Sequence, residues 1–142
     1  MSSVAFGVQD SNGIGTTAPH IRQMLKYKWT NQGIVGGLTV TGQTSLKYYV
    51  TAGMAICTKG SSDGYTEAFF EGGYTPEVGS NSGSNPRIDV IWIAAHDITQ
   101  GDSDNLVTLG VTSGNAAATP SVPEIPSYAL AIAQAMVPAS ST

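Results

Sequence analysis

The side chains able to do chemistry are few in this chain, and their spacing decides what each can do. The acid–base candidates are two histidines. His20 stands at the start of a helical pattern, and His96 stands beside Asp97 at a strand end. A His–Asp neighbour pair becomes part of a catalytic triad only when a nucleophile sits in a strained elbow, and the chain has no G-x-S-x-G. His96 and Asp97 therefore read as a polar pair closing a strand. Asp102-Ser103-Asp104-Asn105 opens like a calcium loop, but Val107 and Ser113 occupy the places where an EF-hand needs its Gly and its bidentate Glu. Glu67 and Glu71 are of the right type for paired carboxylates, yet they lie on an ordinary strand and read as a solvated edge. Cys57 is the chain's single cysteine and reads as a small buried hydrophobe. The glycine tract at 33–37 neither follows a strand nor opens a helix, so it is not a phosphate cradle. These residues predict no enzyme, no metal site and no cofactor.

Arg87 and Asp89 are different. They sit two apart in the most apolar stretch of the chain, and residues i and i+2 share a strand face. The pair is expected to lie side by side in a dry sheet, pinning strand register rather than reacting. Breaking it there would cost about 3–5 kcal/mol.

The elements that must position these groups follow from hydrophobic period. Residues 1–18 are small and polar with scattered apolar side chains, and read as an arm that orders only by docking; residues 19–142 form the domain. Over 19–32, Ile21, Met24, Leu25 and Trp29 recur at helical spacing, with Thr16 or Thr17 to cap the start and Gly33 to stop it. Arg22, Lys26 and Lys28 are expected on this helix's solvated face. Beyond Gly33 the period becomes two. Strands are predicted over 36–42, 45–51 and 54–60, with turns at 42–43 and 51–53. A hairpin tip and a strand fill 61–73, and a long exposed polar loop fills 74–85. Further strands are predicted over 86–98, 106–114 and 127–139, the last with an alanine face lying close to another layer or another subunit. Residues 115–126, with three prolines, should run extended over the surface. One N-terminal helix and about seven strands with short turns predict a mainly β fold, an antiparallel sandwich or barrel.

Composition sets the outer limits. The 142 residues suit one domain with one core. Charged residues are only 11%, and the net charge of −4 lacks the basic footprint that nucleic acid demands. No apolar run approaches the length of a membrane span, and no signal-peptide pattern opens the chain. So weak a charge suits a surface hidden in an assembly. By residue type, Tyr48, Tyr49, Phe69, Phe70, Tyr74 and Tyr128 are the candidate interface anchors.

The order of segments is also informative. A short helix leads into G-I-V-G-G-L-T-V-T-G (33–42) and V-T-A-G-M-A-I (50–56). N-P-R-I-D-V-I-W-I (85–93) and D-N-L-V-T-L-G-V-T-S-G (104–114) follow. A-T-P-S-V-P-E-I-P (118–126) and A-L-A-I-A-Q-A-M-V-P-A (129–139) close the series. Over residues 20–139 this resembles a β-rich module of minor tail and baseplate structural proteins of tailed bacteriophages. The resemblance implies a non-enzymatic virion component, made in the host cytoplasm and located in the virion. It implies a homo-oligomer, commonly a trimer, docked on other virion proteins. A capsid decoration protein clamping the major capsid protein is the alternative. A carbohydrate-binding sandwich, using exposed aromatics and the 74–85 loop, is a reading of a different class.

Overall fold

A computed structural model describes residue 12, residues 15–60 and residues 62–142. Most of the expected arm lies outside the described residues. Thr17 and Ala18 belong to the helix start and not to the arm: α1 spans Ala18–Leu25, with Pro19 in its first turn and the Thr17 amide donating to His20 Nδ1 at 3.3 Å. The helix is eight residues long, shorter than the expected 19–32. The Arg22 carbonyl explains the early end, because it is shared between the Lys26 amide and the Tyr65 amide of a neighbouring segment, at 3.3 and 3.2 Å. Trp29 then turns its indole to Glu67 Oε1 at 2.8 Å.

The fold is mainly β, as the period-two pattern predicts, with nine strands among the described residues. The strands are β1 (Gly33–Gly37), β2 (Val40–Gly42), β3 (Tyr48–Val50), β4 (Gly53–Cys57), β5 (Thr66–Phe70), β6 (Gly73–Tyr74), β7 (Arg87–Ala95), β8 (Val107–Ser113) and β9 (Leu130–Val137). They form three antiparallel three-stranded sheets, ordered β1-β4-β5, β2-β3-β6 and β8-β7-β9, and no barrel closes.

The count exceeds the expected seven because the first six strands are three long ones, each broken at the same level. β1 runs on into β2, β3 into β4 and β5 into β6. Residues 51–53 are therefore a bend within one strand and not a hairpin turn, and β3 and β4 do not pair with each other. Two of the three strands bend where the chain takes left-handed backbone, at Gly37–Leu38 (φ +66° and +57°) and at Gly72 (φ +97°). Across the bend the Thr51 amide donates to the Thr39 carbonyl and the Thr39 amide to Thr51 Oγ1, both at 3.0 Å. A Cβ on Gly53 would sit 2.5 Å from the Gly36 carbonyl oxygen, so only glycine lets the strands approach this closely. Leu38 tolerates its unfavourable φ because its side chain is sealed in the core at 2% exposure.

One face of this bent meander packs on one face of β8-β7-β9. Leu38, Val50, Ala55, Cys57 and Ala68 meet Ile91 and Ile93, with Leu109, Val111 and Leu130 at the margins. β7 is buried along its core face, with Asp89, Ile91 and Ile93 at 0% exposure. On its other face Val90 is buried at 1% while Ile88, Trp92 and Ala94 are half-buried, so the cover on two sides that its largely apolar faces predict is only partial. β9 carries a bulge opposite Ile91 and Trp92, so its alternation changes phase; Ala133 and Ala135 face the core while Gln134 and Met136 face out. Burying strands in this way removes of the order of 25 cal/mol of unfavourable hydration per Å² of apolar surface.

Two expectations about loops are corrected by the same packing. The 74–85 segment is not a free excursion, because Thr75, Val78 and Asn81 are buried. The Thr75 and Val78 amides donate to the Tyr48 and Leu46 carbonyls at 2.9 and 2.8 Å, and Asn81 Nδ2 donates to the Pro138 carbonyl at 2.8 Å. Arg22 does not lie on a solvated face. It is the buried residue of α1, while Ile21, Met24 and Leu25 are half-buried.

Candidate functional site

The start of β7 holds a buried polar network. Asp89 lies among apolar neighbours, and the Arg87 guanidinium grips it bidentately, Nε to Oδ1 at 2.9 Å and Nη2 to Oδ2 at 3.2 Å. The strand period alone predicts this pairing. The third member comes from the facing layer: the Tyr48 hydroxyl donates to Asp89 Oδ2 at 3.0 Å. The remaining guanidinium donors reach the Gly79 carbonyl at 2.6 Å and the Ser80 carbonyl at 3.4 Å. Burial first, and then the Asp89 charge and hydrogen bond, push the Tyr48 phenol up to about 12.

Tyr48 is thereby removed from the interface set. At 9% exposure its ring is core, and it spends its hydroxyl inside the subunit. Phe70 is half-buried and packs against the core. Four of the six candidates offer surface. Phe69, Tyr74 and Tyr128 are exposed at 62, 60 and 59%, and Tyr49 is half-buried. Tyr49 and Tyr74 are cross-strand neighbours with ring centroids 5.1 Å apart, tilted by 59°. Val50, the neighbour of Tyr49, points into the core at 0% exposure, so Tyr49 and Tyr74 lie on the outer face of the bent meander. Phe69 lies on that face too, because Ala68 beside it points inward. Tyr128 stands apart, just before β9.

A cleft of about 540 Å³ opens beside the network, between the two layers. β2 contributes Val40 and Gly42 to one side and β9 contributes residues 133–137 to the other. Leu46, Val78 and Ile91 line its interior, and Arg87 lies at its edge with its charge already matched by Asp89. The cleft can hold an apolar, extended group. It offers no unengaged buried charge to a reacting one.

The opposite end of β7 collects three further pairs of titratable residues. Arg22 pairs with Asp97, Lys59 with Asp102, and His96 Nδ1 lies 2.8 Å from Asp104 Oδ1. Burial would raise the Asp97 carboxyl, but the Thr99 hydroxyl and amide, with the Arg22 charge, outweigh it and hold the group below the usual carboxylate range. Lys59 and then the Asp97 amide lower Asp102; the Leu106 amide and then His96 lower Asp104. Asn105 Oδ1 accepts from the Ile98 amide at 2.8 Å. The 102–105 side chains thus fold the β7–β8 loop on itself, and no cluster of three metal-ligating groups occurs among the described residues. Glu67 is held by Lys28 and the Trp29 indole, which lower its carboxyl, and not by Glu71. Burial pushes the Cys57 thiol up, with the Ala95 backbone pulling the other way.

Sequence reasoning missed Tyr48 as the partner of Asp89, Arg22 as a buried ion, and Asn81 as the tie between the 74–85 loop and the end of β9. Each acts across more than 40 residues of chain, where local period carries no signal. No family model, curated protein or solved structure matches the chain.

Proposed function

We propose that the chain is a structural subunit of a tailed-phage virion, a homo-oligomer and specifically a trimer, docked on tail or baseplate proteins. It performs no catalysis. The observation that carries this reading is the outer face of the meander, where Phe69 and Tyr74 are more than half exposed beside Tyr49. Large aromatics on an uncovered sheet face mark surfaces that a partner buries. Two further features support it. The buried ionic groups are spent on one another in the manner of a scaffold, and the weak charge of the chain suits a surface largely shared with neighbours. The order of segments from the N-terminal helix to the alanine-rich last strand supplies the virion part of the reading.

Native mass spectrometry tests the assembly. A trimer has a mass of about 44 kDa, three times 14.6 kDa. Phe69→Asp combined with Tyr74→Asp should lower that mass while leaving the circular dichroism unchanged. A native chain that stays at 14.6 kDa at tens of micromolar refutes the oligomer. Fractionation of purified particles tests the location: the chain should co-purify with tails, and recovery with emptied capsids would replace the tail reading with capsid decoration.

A further inference from the structure

We infer that in the assembled oligomer the cleft between β2 and β9 receives residues 4–8 of a neighbouring copy as an added strand. The inference rests on the oligomeric reading above and names what fills the cleft.

The cleft is flanked by two open sheet edges. Among the described strands, β2 is bonded only to β3 and β9 only to β7, so each presents an unpaired row of backbone donors and acceptors. Such edges are templates for another strand. The interior between them is apolar: Val40, Leu46, Val78, Ile91, Ala133 and Ala135 face it. The two alanines leave the room that larger side chains on β9 would fill. Its volume of about 540 Å³ lies within the roughly 300–1,000 Å³ typical of occupied sites.

The chain carries one segment of matching length and pattern outside the described residues. Val4, Phe6 and Val8 alternate with Ala5 and Gly7, and no charged side chain occurs before Asp10. Such alternation is that of a strand with one apolar face. Five residues at about 3.3 Å each match the five positions of β9 that line the cleft. Absence of charge matters, because Arg87, the buried cation at the cleft's edge, is already matched by Asp89, and Lys47 at its rim is half-exposed to solvent.

The position of α1 favours a neighbour's segment over the chain's own. Arg22 fixes the helix to Asp97, at the far end of β7, and the helix packs beside β5. The cleft lies at the Arg87 end and on the β2–β9 side. The nine strand residues of β7 separate those ends by about 30 Å. In a closed ring each copy then gives one segment and receives one, which fills every β2–β9 cleft.

The test is hydrogen exchange on the full-length chain and on Val4→Ser/Phe6→Ser/Val8→Ser, read at residues 40–42 and 133–137 with native mass in parallel. The native oligomer should protect these strands. The variant should exchange there at least tenfold faster with unchanged circular dichroism, and a synthetic peptide of residues 2–9 should restore the protection. Exchange that does not respond to the substitutions, in a variant that stays oligomeric, overturns the inference and leaves the oligomer standing. A monomeric native chain overturns both.

Discussion

Replacing Arg87 with Ala tests the buried network most directly. The substitution leaves the Asp89 carboxylate at 0% exposure with the Tyr48 hydroxyl as its one remaining side-chain donor. It also strips the Gly79 and Ser80 carbonyls of their guanidinium donors. Removing one member of a buried pair costs roughly 3–5 kcal/mol, chiefly because an uncompensated charge stays behind. Unfolding entropy is about 2.1 cal/mol/K per residue, so 142 residues give about 0.3 kcal/mol/K. The melting temperature should therefore fall by roughly 10–17 °C. Calorimetry and urea titration at one fixed protein concentration would measure this, since assembly makes stability concentration-dependent. The triple replacement Arg87→Met, Asp89→Leu and Tyr48→Phe removes all three polar groups together. It should recover most of the loss, because no charge then remains unpaired. A loss below about 1 kcal/mol for Arg87→Ala would refute the reasoning, as would a triple variant no more stable than the single one.

Tyr48 should ionise only as the pH approaches 12, above the ordinary phenol value of 10.0, in a titration followed at 295 nm. Because its folded value is raised above the unfolded 10.0, the stability it contributes is present below pH 10 and lost as the pH rises towards 12. At the acid end, Asp97, Asp102, Asp104 and Glu67 are all lowered, so their contribution is full above the ordinary carboxylate range and lost as the pH falls through their depressed values. Acid unfolding of native protein and Asp97→Asn should converge at low pH, and curves that stay parallel would refute a role for Asp97 there. Gly110→Val should destabilise by about 1–3 kcal/mol by overpacking, because its Cβ would overlap the Trp92 ring. The expected signs are a lower urea midpoint and a red-shifted tryptophan emission as the Trp92–Thr112 hydrogen bond, 3.0 Å in the native chain, is broken. Gly53→Ala should be as harmful through the bend, where a Cβ meets the Gly36 carbonyl and the Leu38 amide.

What the sequence by itself determined is local and periodic. The change from a spacing of 3.6 to one of 2 after Gly33 settles the mainly β class. The i, i+2 spacing puts Arg87 and Asp89 on one strand face, and the apolar run over 90–95 makes β7 the central strand of its sheet, buried on one face and largely half-buried on the other. Each of these depends only on neighbours a few residues away, whose geometry the backbone repeats. The tertiary structure decided the rest. It bent three strands at one level, because Gly37 meets Gly53, and Gly72 meets the backbone of residues 50–52, only once the meander has formed. It brought Tyr48 to Asp89 across 41 residues and Arg22 to Asp97 across 75, turning an expected interface anchor and an expected surface cation into core. It also left β2 and β9 facing each other across an open cleft. Such contacts form only when distant segments are packed face to face, and no local repeat encodes which strand edges will come to lie opposite.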